Sequence, residues 1–479
     1  MHKSMLVLVI LLTSLLSAAA QEKVTAMQNI AGDWSGVLDV GAAKLTLVLH
    51  VTAAAGGLTA KLDSPDQGAT GIPVDTVTFQ DGTLKFEMKS LMASFEGTLN
   101  KEGTEIAGQF SQGGRSFPLA LTRGIQAKEA PKRPQEPKPP YPYREEEVSY
   151  ANPHAPGVTL VGTLTLPDGA GPFPAVLLIT GSGPQDRNES LLGHKPFLVL
   201  ADYLTRQGIA VLRVDDRGVG KSTGNFKLAT SQDFADDALA GVEFLKAHKQ
   251  INPRQIGLIG HSEGGLVAPL VAAKTKDVAF IVLMAAPGVP GEEILYEQAA
   301  LLSRAAGASE QAVAENRKLQ ADMFAIVKAE KDPAVAEQKL KDLMAKWVAA
   351  LPEAQRKLPG ASPAVLAAQI KQVNSPWFRF FLTYDPRPAL RQLKIPVLAI
   401  NGELDLQVPP KQNLPEIEKA LKAAGNRDYR IVELPKLNHL FQTAQTGGFA
   451  EYEKIEETIS PAALKVISDW ILATVKAKK

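Results

Sequence analysis

Residues Gly260-His261-Ser262-Glu263-Gly264-Gly265 constrain this chain more than any other stretch. The apolar run Gln255-Ile256-Gly257-Leu258-Ile259 precedes them, and the helix-prone run Leu266 to Ala273 follows. A strand must therefore turn into a helix within a few residues, and a serine at so tight a turn needs small neighbours. The turn lifts the hydroxyl above the end of the sheet, which makes Ser262 a candidate nucleophile. In a chain with 38 glycines the Gly-x-Ser-x-Gly pattern alone is weak. The strand before it and the helix after it give it meaning.

A hydroxyl attacks only when a base takes its proton. The histidines are His2, His50, His154, His194, His248, His261 and His439. On an elbow of this kind the acid and then the histidine follow the nucleophile along the chain, and only His439 lies downstream of Ser262. His261 adjoins the serine, and its side chain is expected to project away from it. His439 ends Val432-Glu433-Leu434-Pro435-Lys436-Leu437-Asn438-His439, a short strand running into a loop; taken by itself it would read as a surface-loop histidine. The third member must hold the imidazole tautomer and stabilise the imidazolium. Ile395 to Ile400 reads as a buried strand, and Asp405 in the loop after it is the candidate acid. Glu403 in the same loop is the alternative, and an ordinary turn-forming role competes for either carboxylate. Donors for a developing oxyanion are sought in the backbone N–H of Glu263 and in the loop Thr180-Gly181-Ser182-Gly183-Pro184 after the strand Pro174–Ile179. There the N–H of Ser182 is favoured, with Gly183 as the alternative.

Taken in order, Gly181-Ser182-Gly183-Pro184-Gln185-Asp186-Arg187, Asp215-Asp216-Arg217-Gly218-Val219-Gly220-Lys221-Ser222, Gly260 to Gly265, Gly402 to Pro409 and Asn438-His439 resemble the α/β-hydrolase superfamily. Within it the chain is similar to secreted carboxylesterases of the dienelactone-hydrolase and acyl-peptidase branch. The resemblance covers roughly residues 145 to 479. It implies hydrolysis of a small-molecule carboxylic ester through an acyl-enzyme, with no metal and no organic cofactor. A serine peptidase or acyl-amino-acid hydrolase with the same triad is the alternative. A non-catalytic envelope-binding protein is the reading from another class.

Two other motifs mislead. Gly218-Val219-Gly220-Lys221-Ser222-Thr223 looks like the end of a phosphate-binding loop, but position 215 is aspartate where that loop needs glycine, and two aspartates repel phosphate. The stretch reads instead as the turn after strand Ala210–Val214, with Asp216 and Arg217 ordering the neighbourhood of the site. Asn188-Glu189-Ser190 matches a glycosylation sequon that matters only on a suitable export route. The scattered histidines and the lack of cysteine give metal chemistry no support.

A chain of 479 residues exceeds one ordinary core, so at least two domains are expected. Lysine plus arginine (52) nearly balances aspartate plus glutamate (51), which argues against nucleic acid or an anionic membrane as partner. Lys3, the apolar run Met5 to Leu16 and Ala18-Ala19-Ala20 read as a signal peptide over residues 1–20. As helix that run spans about 18 Å, short of the ~30 Å hydrocarbon core, so no stable membrane insertion is expected after cleavage. Export to a bacterial periplasm or the extracellular space is the expectation. Without cysteine there are no disulfides, and the folded cores must supply the stability.

Residues 24–123 show about eight short alternating runs between glycine-rich turns, with Asp81-Gly82 and Gly113-Gly114 as hairpin signals. They predict a small antiparallel all-β barrel or sandwich. A proline- and lysine-rich linker over 124–143 is extended, at about 3.1 Å per residue, and either spaces the domains or lies along the second one. Residues 144–479 alternate apolar strands with amphipathic helices, which predicts a mostly parallel sheet with helices on both faces. A helical cap interrupts the alternation at about 291–384. Near its end Trp377, Phe378, Phe380, Phe381 and Tyr384 surround Arg379. Trp377, Phe378 and Phe381 are candidate pocket residues, with packing of the cap onto its core as the alternative.

Overall fold

The computed structural model describes residues 29–40, 44–54, 57–65, 69–112, 115–125, 132–356 and 359–477. The expected signal peptide and the Gly113-Gly114 turn lie outside them. The chain divides after Ala130 into two compact units.

The first unit is one antiparallel sheet of nine strands: β1 (Gly32–Asp39), β2 (Lys44–Ala54), β3 (Gly57–Ser64), β4 (Ala69–Pro73), β5 (Thr76–Gln80), β6 (Thr83–Met88), β7 (Ala93–Leu99), β8 (Glu105–Gln112) and β9 (Arg115–Arg123). Their order is β4-β3-β2-β1-β9-β8-β7-β6-β5, a meander that β1 and β9 join in the middle. The Val74 N–H donates to the Ala60 carbonyl at 3.3 Å, which draws β5 toward β3 and curls the sheet around one core. Trp34, Leu49, Phe86, Phe95, Ile106 and Leu121 fill that core. Among the described residues this unit holds one curled sheet and no second sheet to make a sandwich. Asp81 (φ +48°) and Gly82 (φ +75°) turn β5 into β6 in the left-handed region that a two-residue hairpin requires. Strand β4 has no clear sequence signal, because Gly71 and Pro73 are poor strand formers. Its place at the sheet edge, paired only with β3, tolerates them.

The second unit carries an eight-stranded sheet of β10 (Arg144–Ala151), β11 (Thr159–Leu166), β12 (Phe173–Ile179), β13 (Ala210–Val214), β14 (Ile251–His261), β15 (Phe280–Met284), β16 (Val397–Gly402) and β17 (Tyr429–Leu434). Its order is β10-β11-β13-β12-β14-β15-β16-β17. The pairs β10/β11 and β11/β13 are antiparallel and all the others are parallel. Alternate residues of β12 enter opposite cores. Ala175, Leu177 and Ile179 pack on one face with Leu239, Val242 and Val267. Val176 and Leu178 pack on the other with Phe197, Leu200 and Phe280. A strand apolar on both faces is stable only when both faces are covered. Helices α1 (Pro196–Arg206), α2 (Ser231–Ala247), α3 (Glu263–Lys274), α9 (Pro410–Ala423) and α10 (Pro461–Ala477) cover them.

After β12 the chain crosses to β13 on one side, and after β14 it crosses to β15 on the other. The carboxyl ends of β12 and β14 therefore open onto the switch point where open α/β sheets bind ligands. Between β15 and β16 the cap is built of α4 (Gly291–Ala305), α5 (Glu310–Ala329), α6 (Pro333–Ala350), α7 (Pro363–Val373) and α8 (Pro376–Thr383), with short turns between them. No helix among the described residues is long and apolar enough to cross a membrane.

The second half of the proline-rich segment lies on this unit. Arg133 donates to the carbonyls of Leu192, Gly193, Glu453 and Ile455. The side-chain Oε1 of Gln135 accepts the N–H groups of Thr458 and Ile459, and Glu136 pairs with Lys195. Phe280, fully buried between the sheet and Trp470, supplies a direct measure of the core. Phe280→Ala should lower stability by about 3–5 kcal/mol, read as a lower urea midpoint followed by Trp470 fluorescence.

Candidate active site

Ser262 stands between β14 and α3 with φ +52° and ψ −118°, a backbone conformation that non-glycine residues avoid. Strain of this kind costs about 1–3 kcal/mol and persists only where the surroundings enforce it. They do so by close contact. A Cβ on Gly260 would stand 2.0 Å from the Gly264 carbonyl oxygen, and one on Gly264 would stand 2.1 Å from the Ile179 oxygen. The Ser262 N–H donates to Met284 O at 2.8 Å, and Ser262 O accepts from Gly265 at 2.9 Å. The hydroxyl is left half-buried at the switch point.

His439 Nε2 lies 3.1 Å from Ser262 Oγ, and its Nδ1 lies 2.8 Å from Asp405 Oδ2. Asp405 follows β16, and its other oxygen accepts the N–H groups of Gln407 (2.8 Å) and Val408 (2.9 Å). The carboxylate is thus fixed before it meets the imidazole, and both side chains are buried. Glu403 points elsewhere: its Oε2 accepts the Lys436 N–H at 2.9 Å. The loop carrying His439 is shaped by buried Asn438, whose Oδ1 accepts from Leu440 and Gln442, both at 3.0 Å.

Glu263 opens α3, so its N–H has no acceptor within the helix. Across the switch point, the loop after β12 brings Gly181 against the elbow, where a Cβ would stand 3.3 Å from that of Ser262. Ser182 and Gly183 follow, Gly183 with φ +98°. Asp216 holds this loop by accepting Thr180 Oγ1–H and the Gln185 N–H, both at 2.9 Å. Burial, reinforced by the charges of Glu263 and Glu189, pushes the Asp216 carboxyl up to about 8 against the hydrogen bonds it accepts. Its neighbours are structural. Asp215 makes a bidentate pair with Arg187, and Arg217 pairs with Asp237. Asn188, the sequon residue, accepts from buried Arg213.

The aromatic cluster divides. Phe378 packs in the cap's core with Met323, Phe324, Leu340 and Ile370, and it also lines a cavity of about 230 Å3 on the cap with Leu295, Leu319 and Val373. Its position on α8 faces the cap's own helices. Trp377 stacks on Phe381 with centroids 5.2 Å apart and donates its indole N–H to Glu263 Oε1 at 2.7 Å. Arg379 binds carbonyls at the end of α5, Val327 O and that of Glu330 just beyond it. Trp377 is thus the member of the cluster bonded to the elbow.

Two groups were not singled out as site residues from the sequence. The Glu263 side chain accepts Ser231 Oγ–H (2.5 Å) as well as Trp377, while its second oxygen is buried without a partner among the described residues. Beside it a cavity of about 50 Å3 is lined by Tyr150, Thr180, Asp216, Asp237 and Val267. The other group is the pair His261 and Glu189, 72 residues apart in sequence and 2.9 Å apart in the fold.

The family described as serine aminopeptidase, S33 matches residues 195–368. Esterase EstD of Thermotoga maritima is 30% identical over 282 residues, 59% of this chain and 58% of EstD. The chain thus spans somewhat over half the length of that curated relative. Among solved structures, an esterase of Pyrococcus furiosus is similar at 16% identity, covering 69% of this chain and 91% of that one, with a TM-score of 0.41. A dienelactone hydrolase of Anabaena variabilis is similar at 17% identity, covering 70% and 99%, with a TM-score of 0.36. The sheet order and the elbow give the second unit the α/β-hydrolase fold, and the matched segment lies within it.

Burial pushes the Glu263 carboxyl up to about 6 although Ser231 and Trp377 donate to it. The unfolded chain releases this proton near about 4.3. Between those values the folded state holds the extra proton, so stability falls as pH rises through the window. Glu263→Gln should flatten the difference, by about 2 kcal/mol at most, in thermal melts taken from pH 4 to 7.

Proposed function

We propose that the protein is an exported serine esterase that cleaves small carboxylic esters through an acyl-enzyme. The observation that carries this reading is the chain of contacts Ser262 Oγ, His439 Nε2, His439 Nδ1 and Asp405 Oδ2, with links of 3.1 and 2.8 Å. His439 takes the Ser262 proton as the hydroxyl attacks the carbonyl, then returns it to the leaving alcohol. Asp405 holds the proton-bearing Nδ1 in place and stabilises the imidazolium. The N–H groups of Glu263 and Ser182 are assigned to the oxyanion, where one such donor is worth about 100- to 1000-fold in turnover. Trp377 and Phe381 are assigned to the wall nearest the elbow. Export rests on the apolar run Met5 to Leu16 and the small residues Ala18-Ala19-Ala20.

Amide cleavage is the second reading, and the match to the aminopeptidase family favours it. EstD, named an esterase, favours the first. Both reactions pass through the same acyl-enzyme, but an amide requires protonation of a poorer leaving group. Assay of p-nitrophenyl acetate and butyrate against aminoacyl p-nitroanilides separates them. Esters should be turned over at least about 100-fold faster, and an excess on the anilides would transfer the assignment to a peptidase. Ser262→Ala should leave a folded protein without ester turnover. Asp405→Asn should lower kcat by up to about 10,000-fold. A nearly silent Asp405→Asn beside a disabling Glu403→Gln would move the acid to Glu403.

A further inference from the structure

We propose that Glu189 and His261 form a buried ion pair that positions the reacting groups by tying the oxyanion loop to the main chain of His439. The proposal rests on the serine-hydrolase reading above and deepens it. His261 Nε2 lies 3.0 Å from the carbonyl oxygen of His439, and its Nδ1 lies 2.9 Å from Glu189 Oε1. A carbonyl only accepts, so Nε2 carries a hydrogen. The same Glu189 oxygen also accepts the Gly181 N–H at 2.6 Å. The proposal keeps Glu189 as a carboxylate, which likewise only accepts, and so places a hydrogen on Nδ1 too. Both ring nitrogens donate, and the ring is an imidazolium.

One oxygen atom thus joins three parts of the site. Gly181 precedes Ser182 in the loop assigned to the oxyanion. His261 precedes Ser262 at the end of β14. His439 receives its main-chain bond from the far side of the same ring, whose centroid lies 4.9 Å from the His439 centroid. The two side chains are 6% and 7% exposed, so no bulk solvent competes. The space beside them is about 10 Å3, walled by Pro196, Phe197, Met284, Leu440, Phe441 and Ile459. That is at the lower limit for one water. Glu189 is held with φ +53°, in the left-handed region that non-glycine residues rarely adopt.

The electrostatics agree with the geometry. Burial alone pulls the His261 pKa down, but the charge and hydrogen bond of Glu189, with the His439 carbonyl and the charge of Asp405, raise it above the ordinary histidine value. The titratable groups around the pair are Asp405, the His439 ring and Asp216, which feels the charge of Glu189. The hydrogen bonds of the pair go to Gly181, to the His439 carbonyl and to each other, and Ser262 Oγ bonds His439 Nε2, so the pair are positioning residues. Removing one leaves the other unpaired in an apolar wall, and the loop and the His439 main chain lose their common anchor. A misplacement of about 1 Å at reacting groups lowers rate by about 100-fold.

The test uses the full chain as wild type, Glu189→Gln, His261→Gln and the double variant. In wild type labelled with 15N-histidine, one ring should keep hydrogens on both nitrogens from pH 5 to 8, and its signals should vanish in His261→Gln. Each single variant should lower kcat for p-nitrophenyl butyrate by about 10- to 100-fold with KM within about 3-fold. The double variant should be no slower than the worse single one, as members of one unit behave. A His261 ring that titrates to neutral within that range overturns the proposal, as do additive losses or kcat within about 2-fold of wild type. Wild type without ester or amide turnover would count against the serine-hydrolase reading instead. The NMR result then decides the ion pair by itself.

Discussion

The backbone of Ser262, held at φ +52° between a parallel strand and a helix, is the constraint on which this site depends. A serine there cannot relax into strand or helix. Gly260 and Gly264 leave no room for a side chain, and Met284 and Gly265 occupy the hydrogen bonds of the Ser262 main chain. Strain of about 1–3 kcal/mol is small beside the apolar burial of β12, β14 and β15 that opposes it. The sheet therefore sets the position of the hydroxyl, and the loops after β12, β16 and β17 are built around that point.

Those loops are fixed by polar side chains rather than by apolar packing. Asp216 holds the loop after β12, two backbone N–H groups hold Asp405, and Asn438 shapes the turn before His439. Asp405 and Asn438 are local devices of their own loops, and Asp216 reaches over from the loop after β13. Glu189 and His261 are different, because they join the first of these loops to the last through the elbow. Glu263 adds a connection upward, through Trp377, to the cap. A buried polar group with its partners in place specifies one arrangement, and the same group unpaired is costly.

Much of this was legible in the sequence for a physical reason. Ser262, Asp405 and His439 each follow an apolar strand in the order that a sheet-end site imposes, so three distant positions could be placed at one edge. The sequence favoured Asp405 and left Glu403 as the alternative in the same loop, and the turn geometry sends Glu403 toward Lys436 while Asp405 meets His439. Glu189 and the support role of His261 were not legible. Their contact spans 72 residues and depends on a loop with no periodic signal. Phe378 shows a different limit. An aromatic cluster shows that rings gather, but the helical phase of α8 decides that Phe378 enters the cap core while Trp377 reaches the elbow. Strand β4 escaped notice because edge strands accept residues that interior strands reject.

The central claim is that the hydroxyl of Ser262 is activated by His439 and by no other group. Its most direct measure is covalent labelling of the full chain with a fluorophosphonate, followed by peptide mass mapping, in wild type and in His439→Ala. The expected result is a single adduct on the peptide containing Ser262, formed rapidly in wild type and at least about 1000-fold more slowly in the variant. An adduct on another serine, or labelling of Ser262 at an unchanged rate without His439, would contradict it.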